Sequence, residues 1–179
     1  MTDNATVVAS EKQTAEEQHR TKGVTMVVFS GDLDKLLAAF IIANGAAAMD
    51  IPVTMFFTFW GLNVLRRDGP VQIAGKKSFV ENMFGRMMPR GPNKMMLSKM
   101  NIGGLGTMFM KREMKKKNVY SLPELVKQAQ EQGIKFIACT MTMDLMGIKK
   151  EELIPDIDFA GVATFVDVAK SGHSTLFIS

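Results

Sequence analysis

Cys139 is the only cysteine in the chain, and it heads the run CTMTMDLMG at 139–147. A thiol can act as nucleophile, redox centre or soft metal ligand, and its ionisation and access decide which. IKFIA at 134–138 leads into it and reads as a strand; TMTMDLMG at 140–147 reads as a short helix. A thiol between the two stands beyond the carboxyl end of a strand, where sites form in open α/β sheets. It also stands at a helix start, whose free N–H groups and partial positive charge favour thiolate over thiol. Thr140 and Thr142 are the candidate caps. Thr140, Met141, Thr142 and Met143 are expected to line a pocket around the sulfur. The competing reading is a core thiol, because cysteine is among the most buried residue types and a lone one often serves as a small hydrophobe.

Other chemistry fits less well. Cys139, Met141 and Met143 are three soft ligands of the kind that suits Cu(I). On a strand they would share a face, but on the helix expected here they do not, so no metal is expected. His19 lies in the polar leader and His173 near the last turn; neither has the spacing of a zinc site or of a Ser/His/Asp arrangement. GGLGT at 103–107 lacks the GK[ST] ending and the preceding strand of a phosphate loop, and reads as a hinge. No cofactor is expected.

The elements that must hold Cys139 are legible in outline. VTMVVFS (24–30) and IPVTMFFTF (51–59) are apolar on nearly every residue, as strands of a parallel sheet covered on both faces are. Ser30-Gly31-Asp32 turns the chain into a helix over 33–49, which makes a right-handed βαβ unit. Ser121-Leu-Pro-Glu124 is a helix start with a serine cap, and Gly133 ends that helix. Then follow the strand at 134–139, the short helix, a helical turn near 150–154 closed by Pro155, an amphipathic helix over 160–172 and a last strand at 174–179. Strands alternating with helices give the α/β class. Between 60 and 118 the pattern is mixed: WGLNVLRR and KKSFVENMFGRMM are helical, PRGPNK is a loop, and 95–117 combines helical spacing with glycines. This helical, Met-rich insertion, about 68–118, is long for a compact domain and is expected to be a lid or an interface.

The length, 179 residues, fits one domain over 23–179 behind a polar tail at 1–22. That tail is expected to be disordered and carries no apolar signal segment. The chain has 46% hydrophobic and 22% charged residues, ordinary for a globular protein. Sixteen methionines against twelve phenylalanines are not ordinary, and their clustering between 83 and 114 suggests adaptable apolar surface. The formal net charge is +4, much of it in KREMKKK at 111–117, which reads as a solvated helix face or a docking patch for an acidic partner or a membrane surface. One tyrosine and one tryptophan leave nothing to stack on bases, so nucleic acid is not an expected partner. One cysteine excludes an internal disulfide and fits a reducing compartment. The uncharged stretches 36–49 and 51–65 are shorter than the ~18–20 residues of a membrane span, and Asp50 and Pro52 part them. Phe56, Phe57, Phe59 and Trp60 lie close together and keep peripheral membrane contact among the expectations.

ACTMTMDLMGI, with GVATFVDVAKSGHSTLFI after it and IIANGAAAMDIPVTMFFTFWGLNVLRR before it, resembles the DsrE/DsrF/DsrH-like family, in the branch described as peroxiredoxin-like or DsrE-like sulfurtransferases. The likeness runs from Val24 to Ser179. Its most specific part is a cysteine followed by alternating methionines and small polar residues, then Asp-x-Met-Gly. The resemblance implies a flavodoxin-like three-layer sandwich about a mainly parallel sheet, homo-oligomers, and a cytoplasmic role in sulfur trafficking. It implies that Cys139 carries sulfur as a persulfide and exchanges it with TusA-like or rhodanese-like carriers. Some relatives hold a second cysteine upstream; this chain has none, so Cys139 must receive and hand on sulfur by direct contact. The expected function is therefore a sulfurtransferase or sulfur carrier, with Met141, Met143, Phe56 and Trp60 excluding water. The alternative is a non-catalytic binding module or membrane-associated scaffold that uses the Met-rich insertion. A one-cysteine peroxidase ranks below both, since nothing beside Cys139 looks like the Arg and Thr pair that would activate a peroxide.

Overall fold

The structure is a computed structural model that describes residues 23–69, 71–72, 78–172 and 174–179. The tail at 1–22, with His19, and His173 lie outside the described residues. Five strands form one sheet among them: β1 (Val24–Val28), β2 (Val53–Phe57), β3 (Lys135–Cys139), β4 (Ile157–Ala160) and β5 (Ser174–Ile178). Their order is β4-β3-β2-β1-β5, and every neighbouring pair is parallel. The helices are α1 (Leu33–Ala47), α2 (Phe79–Met87), α3 (Leu105–Lys116), α4 (Leu122–Glu131), α5 (Thr140–Met146) and α6 (Val162–Ser171). The α/β class and the mainly parallel sheet are as expected.

The order of the strands dictates which face each helix covers. From β1 to β4 the chain steps across the sheet in one direction; at β5 it returns to the far side of β1. Right-handed crossovers put the connections on one face while the direction holds, and on the other when it reverses. Accordingly α1 and α4 pack on a first face against Met26, Val28, Met55, Phe57, Phe136 and Ala138. Among the described residues α6 alone covers the second face, where Val27, Phe56, Ile137 and Cys139 point. Side chains alternate between faces along each strand, so neighbouring residues of β3 serve different cores.

β4 departs from expectation: the chain was expected to run from Pro155 straight into a helix over 160–172. Instead Ile157–Ala160 pairs with β3 as an edge strand, and the helix starts at Val162. Four residues, one of them Asp158, give too short and too polar a signal to stand out.

The insertion is helical, as expected. After a 3-10 helix (Phe59–Leu65) that precedes it, the insertion holds α2, 3-10 turns at Pro92–Lys94 and Ile102–Gly104, and α3. It is fastened to α1 by Leu33 N–H donating to the Met96 carbonyl at 2.7 Å, and by the Ser98 amide and hydroxyl donating to Asp34 at 2.9 and 2.7 Å. Burial alone would raise Asp34, but the Ser98 hydrogen bonds hold it below its ordinary 3.8. That contribution is complete above the ordinary value and is lost as pH falls through the lower folded value.

A buried ion network closes the other end of the insertion. Arg66 and Glu152 are both about 1% exposed, and their side chains meet at 2.8 Å. Arg90 reaches the same Glu152 oxygen. Burial pushes the Arg66 guanidinium below its usual range, and Glu152 beside it pulls it back up. Around the pair, Arg67 N–H donates to the Glu152 carbonyl and Ile154 N–H to the Leu65 carbonyl, so the insertion is stitched to the segment before β4. Removing one partner of a buried pair leaves an uncompensated charge, at about 3–5 kcal/mol. Glu152→Gln should therefore lower Tm by on the order of 10 °C, at about 2–4 °C per kcal/mol for a chain of this size. A thermal scan showing a drop of only a degree or two would mean the triad does not hold the insertion.

Candidate functional site

Cys139 is the last residue of β3, and its parity places it on the second face beside Ile137. It is 3% exposed. Val27, Phe56, Ile137 and Phe165 share its small apolar cluster, with Ala160 and Ala169 at the edge. The rings of Phe56 and Phe165 stand 4.9 Å apart between centroids. The cover from α6 is thin, for among residues 162–170 Phe165 alone is buried.

The chain turns directly from Cys139 into α5. Cys139 occupies the N-cap position, and no side chain caps the helix there, so neither Thr140 nor Thr142 takes the expected capping role. Thr142 does something else. It is fully buried, its hydroxyl pairs with that of Thr58 at 2.9 Å, and it accepts the Phe59 N–H at 3.2 Å. Phe59 has φ of 45°, a region that bulky residues avoid at a cost of about 1–3 kcal/mol. Thr58 stands one residue beyond Phe57, which is in register with Ala138. The two threonines thus join the ends of β2 and β3 beside Cys139 and hold the strained turn in place. Gly61 completes the turn: its N–H donates to the Phe29 carbonyl, and the Val28 carbonyl lies where a Cβ would stand.

The expected pocket residues diverge, as successive positions on a helix must. Thr140 is half-buried, Met141 is 61% exposed, and Met143 is buried in the first-face core. Thr142 is engaged with β2. The soft trio Cys139, Met141 and Met143 is therefore dispersed rather than gathered. No cluster of three or more His, Cys, Asp or Glu side chains suits a metal among the described residues. Of the residues expected to exclude water, Phe56 lies with the sulfur. Trp60 instead lines a cavity of about 420 Å³ beyond the end of β1, with Phe29, Ser30, Asp32 and Lys35. Cys139 lines neither that cavity nor one of about 480 Å³ between α3 and the start of α4. Phe56 and Phe57 are buried, so of the aromatic run at 56–60 only Phe59 and Trp60 reach the surface. Sequence reasoning missed Thr58 and Phe165. Phe165 is the one aromatic of an amphipathic helix, and that could have marked it as the residue facing the sheet.

A model of the DsrE/DsrF/DrsH-like family matches residues 20–177. The chain is 57% identical over 159 residues to the "Uncharacterized protein YrkE" of Bacillus subtilis (strain 168), covering 89% of this chain and 98% of that protein. It is 34% identical over 161 residues to the "Sulfur carrier protein DsrE2" of Allochromatium vinosum, covering 88% of this chain and 98% of that protein. In fold it is similar to the ychN protein from E. coli, with a TM-score of 0.50 at 11% identity, over 87% of this chain and 98% of that one.

Thr142→Val keeps the shape but leaves the Phe59 N–H and the Thr58 hydroxyl without their partner. Each unmade buried bond costs about 1–3 kcal/mol, so the two together should lower Tm by on the order of 10 °C, while Thr142→Ser should stay near wild type. Equal Tm values for the two variants would show that the hydroxyl does not hold this junction.

Proposed function

Because the chain belongs to the DsrE/DsrF/DrsH-like family, we propose that it is a sulfur carrier that holds sulfur as a persulfide on Cys139 and passes it to a partner thiol. A sulfur-related role is supported by the family and by the sulfur carrier to which the chain is 34% identical across nearly its full length. One observation carries the assignment to a residue: the chain has a single thiol, and it stands at a strand end in front of a helix.

The chemistry needs no oxidant. The Cys139 thiolate attacks the outer sulfur of a donor persulfide, the donor's S–S bond breaks, the donor leaves as a thiolate, and Cys139–S–SH forms. An acceptor thiolate then attacks that outer sulfur, and the Cys139 thiolate leaves. Both steps are thiol–disulfide-type exchanges, whose rates follow thiolate fraction, nucleophilicity and access. With no second cysteine in the chain, donor and acceptor thiols come from other molecules, and TusA-like or rhodanese-like carriers fit that need. A reducing compartment such as the cytoplasm keeps the thiol free between turnovers. No helix among the described residues is long and apolar enough to cross a membrane.

Access is the demanding step, because the thiol is covered. Undocking α6 exposes Phe165, whose burial contributes about 1.5–3 kcal/mol, and uncovers Val27, Phe56 and Ile137 beneath it. The Phe165 contribution alone holds the accessible fraction of the thiol to at most about 10%, at tenfold per 1.4 kcal/mol. Unfolding the whole chain costs about 5–15 kcal/mol. Local opening is therefore the cheaper route by far. α6 acts as the door to the sulfur.

The test is the intact mass after incubation with inorganic polysulfide. One added sulfur atom is expected, removed by dithiothreitol and absent from Cys139→Ser. A folded protein that gains no sulfur would make Cys139 a core thiol and leave the binding-module reading in its place. In a second measurement, Phe165→Ala should raise the rate of Cys139 alkylation by about ten- to a hundredfold, the rate equivalent of the lost burial. An unchanged rate would remove α6 from the path to the thiol.

A further inference from the structure

The strongest unexplained surface lies in the insertion, far in sequence from Cys139. Met100, Ile102, Leu105, Met108 and Phe109 are all exposed, from 54% for Leu105 to 85% for Met100. Leu105, Met108, Phe109, Arg112 and Lys116 fall at i, i+3, i+4, i+7 and i+11, so they share the outward face of α3. That face is apolar in its first half and basic in its second.

The helix cannot turn this face inward. Its inner side is fixed by buried Thr107, whose hydroxyl accepts the Leu97 N–H at 2.9 Å and donates to Asn101 at 3.0 Å. Lys111 donates to the Asn93 carbonyl at 2.8 Å from the same side. Gly103 and Gly104, both with positive φ, turn the chain into α3, at whose start the exposed apolar residues gather. The charge beside them is concentrated. Residues 111–117 hold five cations and one anion, a net +4 equal to that of the whole chain. Among the ion pairs of the described residues, only a long contact from Lys116 to Glu113, at 3.9 Å, falls within this run.

We propose that α3 is a docking helix for an anionic lipid bilayer. Its exposed apolar start enters the boundary between headgroups and acyl chains, and Arg112, Lys115, Lys116 and Lys117 lie at headgroup level. Basic residues flanking exposed apolar ones on a short helix are the pattern of interfacial helices. Charge and exposure favour this occupant: exposed apolar side chains beside a segment of net +4 match the acyl boundary and the anionic headgroups of a bilayer. The proposal does not depend on Cys139.

The test is co-sedimentation of the full chain with vesicles of phosphatidylglycerol and phosphatidylcholine, against vesicles of phosphatidylcholine alone. Binding is expected to the anionic vesicles only, and to weaken near 1 M salt, where the Debye length is about 3 Å. Leu105→Ser/Phe109→Ser and Lys115→Glu/Lys116→Glu should each reduce it at least about tenfold. Both sites are exposed, and circular dichroism verifies that the variants keep the wild-type fold. No binding to anionic vesicles would overturn the proposal, as would binding that persists in both variants. Self-association of the chain in sedimentation velocity, abolished by Leu105→Ser/Phe109→Ser and with no vesicle binding, would overturn it in favour of a second copy of this chain.

Discussion

The handedness of β-crossovers is the constraint on which the rest of the structure depends. Because the strand order reverses only at β5, α1, α4 and the insertion gather on one face and, among the described residues, α6 alone is left for the other. The parity of β3 then decides the fate of the thiol. One residue earlier or later, it would sit in the thick first-face core with Phe136 and Ala138. At 139 it sits under α6, in a small cluster that Phe165 closes over Val27, Phe56 and Ile137.

The ground around that thiol is rigid. Thr58 and Thr142 couple the ends of β2 and β3, and Phe59 is held at positive φ by the same hydroxyl. Farther out, Arg66, Arg90 and Glu152 bind the insertion to the segment that leads into β4. Stability in a protein is uneven, and the parts that open are those with few buried contacts. In this fold α6 buries only Phe165 among residues 162–170, while the strand-end junction is hydrogen-bonded on both sides. The sulfur carrier proposed above needs that combination: a fixed sulfur position and a cover that yields to a partner.

Much of the fold was legible because its elements announce themselves locally. β1, α1 and β2 follow from unbroken apolar runs separated by a turn, and α4 from its Ser121–Glu124 capping box. β3 and the short helix after it were equally plain. β4 was not, because an edge strand of four residues carries little hydrophobic signal. The topology itself implied it, since two helices in sequence on opposite faces of a sheet call for a strand between them. The site was legible as a position and illegible as a pocket. Cys139 lies where the pattern put it, but Met141 and Met143 point away from each other, and the thiol's real neighbours, Phe56 and Phe165, come from distant segments. Contacts between segments more than twenty residues apart leave no periodic trace. The methionine-rich insertion was recognisable as unusual, yet which of its methionines are exposed depends on how α3 is moored through Thr107 and Lys111.

The central claim is that Cys139 is reached by a local opening of α6 and not by unfolding of the chain. Native-state labelling of the thiol across a series of sub-denaturing urea concentrations tests it most directly. The slope of the opening free energy against urea reports the surface exposed in the reactive state. A shallow slope, with an opening free energy well below that of global unfolding, is what the account predicts. A slope and free energy equal to those of global unfolding would contradict it, because Cys139 would then be seen by a reagent only when the whole core comes apart.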